Sequence, residues 1–209
     1  MILGIIVAVC AYFIGNLDFA YIVVRAAIGK DIRDYGSGNA GTTNVLRTLG
    51  LKYAVLVFIF DALKGAVAIW AARLLGLDEA WVALAGAAVI CGHNWPICLG
   101  FRGGKGTATS IGVFVAMDWK ICLICVIVGL IFLVIFRMMS LTSIVGMITL
   151  PIAIIIMYGI TPMFFLGLFM CISTVFQHRS NIVRIANGTE SKVGQKVKID
   201  EQQNNNKNE

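Results

Sequence analysis

The chain has 209 residues, of which 59% are hydrophobic and only 13% charged, against roughly 25% charged in soluble domains. So few charges cannot cover a water-exposed surface, which excludes a soluble globular protein and predicts a single all-α membrane-embedded domain over residues 1–198. The net charge of +6 lies in short segments between apolar runs, where membrane topology accounts for it, and it implies no nucleic-acid partner.

A bilayer-crossing helix needs about 20 apolar residues. The first run, Met1–Val24, lacks a basic leader and a small-residue cleavage site, so it reads as a retained span rather than a signal peptide. A polar loop with Arg25, Lys30, Asp31, Arg33 and Asp34 follows. The second run, Tyr53–Leu77, carries Asp61 and Lys64 inside it, and the third is Ala80–Leu99. The apolar stretch from Thr107 to Phe136 is too long for one ordinary span. Asp118-Trp119-Lys120 interrupts it, and Trp favours the membrane interface, which predicts a short helix near 106–117 and a full one over 121–136. Ser140–Tyr158 and Met163–Phe176 complete seven transmembrane helices, one of them short. The polar segment 199–209 reads as a disordered tail.

Sidedness follows from the basic residues. With seven spans, the loop 25–52, the turn 102–105, Arg137 and the tail share one side and hold 14 of the 17 Lys and Arg residues. Basic loops stay in the cytoplasm, so the N-terminus is expected outside and the C-terminus inside. The six cysteines all lie in apolar segments. Cys122 and Cys125 form a C-x-x-C without a second pair or a nearby His, so small hydrophobes are expected rather than a metal or redox site.

The loops carry the chemistry. Gly36–Gly41, GSGNAG, fits the dinucleotide fingerprint G-x-G-x-x-G, but no strand precedes it and no βαβ unit surrounds it, so that reading fails. GFRGGKGT lacks the first Walker A glycine, since Leu99 stands there, and Gly106 rather than Ser or Thr follows Lys105. ATP or GTP is therefore not supported. Phosphate recognition survives both exclusions, because glycine lets backbone N–H groups approach an anion and a helix N-terminus favours negative charge. Each loop has a cation in reach, Arg47 and Lys105, and a third cluster, Gln177–Arg184, lies on the same side. If the last helix continues, His178 and Asn181 share a face, as do Asn181 and Arg184. Three such clusters predict one assembled polyanion site. An organic-phosphate transporter would use the same groups, but the clusters lie on one side and no inverted repeat is visible.

Three blocks, GSGNAGTTNVLRTLG from Gly36, GHNWPICLGFRGGKGTATSIG from Gly92 and HRSNIVRIANGTESKVG from His178, with DALKG from Asp61, resemble the PlsY family. These are bacterial membrane glycerol-3-phosphate acyltransferases with acyl-phosphate as donor. The resemblance implies transfer of a fatty acyl group to the sn-1 hydroxyl of glycerol 3-phosphate, giving lysophosphatidic acid and phosphate, the start of phospholipid synthesis. It implies a multi-pass bacterial cell-membrane protein with its site facing the cytoplasm. No metal or other cofactor is implied, and the soluble enzyme that makes acyl-phosphate is the pathway partner. Ser37, Arg47, Lys105, His178 and Asn181 match the family's catalytic positions. Gly38, Asn39, Gly41, Thr42 and Thr43 in the first block, with Gly103, Gly104 and Gly106 in the second, match its substrate-binding positions, and Glu190 looks structural. Which cation serves which phosphate stays open. The proton acceptor is either His178 or a substrate phosphate oxygen. Asp61 and Lys64, three residues apart, either serve function or pair with each other, and His93 is expected to join the third span to its neighbours.

Overall fold

The computed structural model describes residues 1–195, so the tail expected over 199–209 lies outside the described residues. Among them every regular element is helical: α1 (Ile2–Gly15), α2 (Phe19–Ile28), α3 (Thr42–Thr48), α4 (Leu51–Leu74), α5 (Glu79–Asn94), α6 (Thr107–Met117), α7 (Trp119–Phe136), α8 (Met139–Tyr158), α9 (Pro162–Gln177) and α10 (Arg179–Ala186), with short 3-10 turns at Ile32–Asp34 and Ile97–Leu99. Five apolar stretches are long enough to cross a bilayer: Ile2–Ile28, Leu51–Leu74, Glu79–Leu99, Trp119–Phe136 and Met139–Tyr158, while α6 and α9 are shorter. Large apolar side chains such as Val134, Ile156, Phe165 and Ile172 face outward, as a lipid environment permits.

The first span is not the continuous helix expected over Met1–Val24. It breaks at Asn16–Asp18, where Asp18 takes the N-cap position of α2 and accepts from the Tyr21 amide at 2.9 Å. Inside a bilayer the groups released by a break must find protein partners. They do: Asn16 donates to the Tyr12 carbonyl at 2.8 Å, and Lys64 reaches across to the Leu17 carbonyl at 2.7 Å. The interruption expected at Asp118 is present, and Asp118 caps α7 by accepting from the Lys120 and Ile121 amides. α5 ends at Asn94, ahead of Pro96, which sits just before the second 3-10 turn.

In lipid there is no hydrophobic drive between helices, so close packing depends on small residues. α1 meets α5 at Gly15 and Gly92, where an added Cβ would run into the partner's backbone. α4 meets α6 in the same way, with Gly65 against Thr109 and Gly112 against the Ala62 carbonyl. Gly112→Val is therefore expected to cost more than the roughly 1–3 kcal/mol typical of overpacking, because backbone rather than a flexible side chain blocks it. Gel filtration and thermal unfolding in detergent will show loss of the folded monodisperse species.

Two cores result. The larger, including Ile69, Val82, Ile90, Phe114, Leu150 and Met170, fills the bundle. The smaller, built from Ala20, Val24, Ile32, Ala40, Val45, Ala54 and Val57, supports the glycine loop that precedes α3.

Candidate active site

The first glycine loop is organised by one buried side chain. Asn44 donates through Nδ2 to the carbonyls of Ile32, Tyr35 and Asn39 at 3.2, 2.9 and 3.0 Å, and its Oδ1 accepts from the Ser37 amide at 3.0 Å. Wrapping backbone this tightly around an amide requires left-handed residues, and Gly36 (φ 60°) and Gly38 (φ 70°) supply them. The loop then delivers Gly41, Thr42 and Thr43 to a cavity of about 330 Å³, lined as well by Ser37, Asn39 and Arg47. The Thr42 hydroxyl is buried without a hydrogen-bond partner among the described residues.

The second loop packs on the end of α5. The Gly104 amide donates to the His93 carbonyl at 3.1 Å, and a Cβ on Gly103 or Gly104 would collide with His93. Gly104 also lies against the Ala40 carbonyl, which joins the two glycine loops. Gly106 (φ 77°) turns the chain into α6. Lys105, between these glycines, points into the cavity and donates to Asn181 Oδ1.

The third cluster closes the opposite wall. α9 and α10 are not one helix, because His178 sits at their junction with φ −96° and ψ 9°. Both His178 and Asn181 nevertheless reach the cavity. Asn181 Nδ2 donates to Glu190 Oε1 at 2.7 Å; the same oxygen accepts from Ser140 at 2.9 Å, while Arg184 Nε donates to Oε2 at 2.8 Å. Glu190 thus ties α8, α10 and, through Asn181, Lys105 into one network.

Electrostatics follow from this packing. Burial, aided by the Arg184, Arg47 and Arg179 cations and opposed by Glu190, lowers the Lys105 ammonium to a pKa of about 8. Burial and the Lys105 charge push His178 down to about 4, so it is neutral at pH 7. Its Nδ1 lies 2.9 Å from the Thr174 carbonyl, which can only accept, so Nδ1 carries the proton and Nε2 keeps a lone pair. Burial also lowers Arg47, which stays protonated. At Glu190 burial acts upward, but hydrogen bonds from Asn181, Arg184 and Ser140 outweigh it and hold the carboxylate below its ordinary value.

Beyond this polar mouth the cavity continues as an apolar slot between α6, α7 and α8, walled by Ile111, Cys122, Cys125, Val126, Leu130 and Met147. From Ser140 to Leu150 along α8 it descends about 15 Å at 1.5 Å per residue. That is half of the roughly 30 Å hydrocarbon core, the depth of one leaflet.

Of the residues expected from sequence, Ser37, Asn39, Gly41, Thr42, Thr43, Arg47, Lys105, Gly106, His178 and Asn181 line one cavity. Gly38, Gly103 and Gly104 stand behind it as turn and packing positions. Asp61, expected either to serve function or to pair with Lys64, lines it too, as do Ser140, Ser110 and His93, for which the sequence predicts no site role. For Ser140 no local signal exists, whereas His93 was visible in GHNWP but read only as a connector.

A helical bundle with a cationic, glycine-loop mouth that opens into an apolar slot about 15 Å long defines a membrane protein with an amphiphilic cavity. The family model described as glycerol-3-phosphate acyltransferase matches residues 5–188. A protein of that description from Thermoanaerobacter sp. (strain X514) is 45% identical over 94% of this chain and 98% of its own length. One from Clostridioides difficile (strain 630) is 46% identical over 92% and 96%. The crystal structure of PlsY (YgiH), an integral membrane glycerol 3-phosphate acyltransferase, in its glycerol 3-phosphate form superposes with a TM-score of 0.86 at 34% identity, covering 91% of this chain and 96% of that one. Its lysophosphatidic acid form gives 0.83 at 33% identity, covering 92% and 96%. The chain belongs to the glycerol-3-phosphate acyltransferase family and is an integral membrane protein.

Proposed function

We propose that the protein transfers a fatty acyl group from acyl-phosphate to the sn-1 hydroxyl of glycerol 3-phosphate, releasing lysophosphatidic acid and inorganic phosphate. The observation that carries this reading is the continuity of the anion pocket with the apolar slot: Lys105 and Arg47 at the mouth, alkyl-lined walls below. A phosphorylated head and a fatty chain fit the two parts together.

Two phosphorylated substrates repel, by about 3 kcal/mol per unit charge pair at 6 Å and an effective dielectric near 20. Arg47 and Lys105 offset that repulsion, and the loop backbone about Gly41–Thr43 supports charge developing on the leaving phosphate. The hydroxyl oxygen attacks the acyl carbon, the bond from that carbon to the phosphate oxygen breaks, and the hydroxyl proton must go to a base. His178 Nε2 can accept a hydrogen bond from the hydroxyl, but at about 4 it is a weaker base than a phosphate monoester, whose second pKa is about 6. His178 therefore orients the hydroxyl and a substrate phosphate oxygen takes the proton. Ser37, Asn39 and Asn181 complete the polar contacts.

We place seven helices across the bacterial cell membrane, N-terminus outside, with the site on the cytoplasmic side. α6 supports a recessed site: its 11 residues span only about 17 Å, so one end stops short of a surface. A soluble enzyme that makes acyl-phosphate is the pathway partner. Purified protein in detergent, given glycerol 3-phosphate and acyl-phosphate, should yield lysophosphatidic acid and phosphate. Absence of product would sink the reading in favour of transport, which cannot make new ester bonds. Cys125→Phe, halfway down the slot, should lower kcat/KM for long-chain donors about tenfold while sparing short ones, the order of discrimination that a few methylenes allow. A chain-length series measures it.

A further inference from the structure

Behind the second glycine loop lies a buried group of charges that the mechanism above does not use. Lys64 Nζ makes three contacts: an ion pair with Asp61 Oδ1 at 2.7 Å, a hydrogen bond to the Leu17 carbonyl at 2.7 Å, and a 2.8 Å contact with His93 Nδ1. An ammonium paired to a carboxylate has three donors and no acceptor. His93 Nδ1 must therefore accept, and it carries no proton. Asp61 stands 3.7 Å from Nδ1, too far for that nitrogen to donate to it instead. The ring proton is thus fixed on Nε2.

His93 is 3% exposed, yet it lines the cavity. Its Nε2 lies against Gly104, close enough that a Cβ there would strike it, one residue before Lys105. Among the described residues Nε2 makes no hydrogen bond. We propose that His93 Nε2–H is a substrate-binding donor to a phosphoryl oxygen seated beside the Lys105 turn, with the Asp61–Lys64 pair acting as the positioning device that sets its tautomer. The proposal deepens the acyltransferase reading and rests on it for the identity of the phosphates. Such a donor is preorganised, because both its orientation and its proton are fixed before substrate arrives. It also explains why a buried ion pair is kept in a span where apolar residues would pack at lower cost.

The chain holds only two histidines, so nitrogen NMR of the ¹⁵N-histidine-labelled full chain in detergent reads the site directly, with His93→Gln giving the assignment. At neutral pH His93 should show a protonated Nε2 and a bare Nδ1, and inorganic phosphate or glycerol 3-phosphate should move the Nε2 signal. Finding the proton on Nδ1, or no response to either anion, overturns the proposal even if the wild type makes lysophosphatidic acid. In turnover, His93→Asn, which keeps a polar atom near Lys64 but lacks the distal N–H, should raise KM about tenfold or more for one of the two substrates. Which KM moves identifies the phosphate. His93→Gln, whose amide nitrogen reaches the Nε2 position, should recover to within about threefold of wild type. Folded His93→Asn with both KM values within twofold of wild type, or His93→Gln no better than His93→Asn, would reduce His93 to a packing residue. Wild type that makes no product but shows the phosphate-dependent Nε2 shift would instead sink the acyltransferase reading and leave the donor standing.

Discussion

Replacing Lys105 with Met will lower kcat/KM for acyl transfer by at least about 10²–10³, the loss seen when one preorganised charge-stabilising donor is removed from an active site. The expected loss is large because Lys105 is half-buried, anchored on Asn181 and set among Arg47 and Arg184, so no mobile surface cation can take its place. Arg47→Ala should fall comparably, while either variant with near-normal turnover removes that residue from the proposed mechanism. A pH profile adds a second test. The free-enzyme ionisation governs kcat/KM, and Lys105 is lowered to about 8 by burial and its cationic neighbours. The cation exists below that value and is lost above it, so kcat/KM should decline as pH rises through about 8. In Lys105→Arg the guanidinium stays charged across the range, and whatever activity survives should lose this alkaline limb. An unchanged limb would assign the titration to another group.

Much of this site is legible in one dimension because glycine loops and their cations are local signals. GSGNAG and GGKG announce backbone that must bend where other residues cannot, and Gly36, Gly38 and Gly106 do adopt positive φ. What such a signal does not reveal is which side of the loop a glycine serves. Gly103 and Gly104 are glycines because His93 and Pro96 lie against them, a contact made from another element. Asn44 reads as one more polar residue in a polar motif, and only three-dimensional closure makes it the hub of the loop. The apolar slot is invisible for a different reason. Cys122 and Cys125 face a cavity while Ile124 and Ile131, on the same helix, are exposed on the outside. A helix that is hydrophobic all round offers no periodicity to tell the faces apart. The break at Asn16–Asp18 was marked by polar residues near a helix end, but its stability depends on Lys64, 47 positions away. Pairing of Asp61 with Lys64, by contrast, follows from their i,i+3 spacing and is present.

Glu190 separates support of the site from chemistry in it, and Glu190→Ala should damage both. Its side chain is 1% exposed and accepts from Ser140, Asn181 and Arg184. Removing one partner of a fully buried ion pair costs about 3–5 kcal/mol. Arg184 is 39% exposed, so water takes up much of its released charge and a loss of about 2 kcal/mol is the better expectation. For a chain of this size that corresponds to a fall of roughly 4–8 °C in melting temperature. Activity should fall further than stability alone explains, since Asn181 loses the anchor that presents its Oδ1 to Lys105. Asn181→Ala gives the contrast: reduced turnover with little change in melting temperature, because Glu190 keeps Ser140 and Arg184. Glu190→Gln retains the acceptor for Ser140 and Asn181 but not the charge, and should fall between the two. The same network predicts the acid limit of the fold. Glu190 is held below its ordinary pKa of 4.5, so its contribution is complete above that value and disappears as pH falls through the lowered one. Wild type should therefore lose melting temperature on acidification below about 4.5 more steeply than Glu190→Gln. Parallel slopes in a detergent melting series across that range would show that the carboxylate's charge does not hold the third cluster in place.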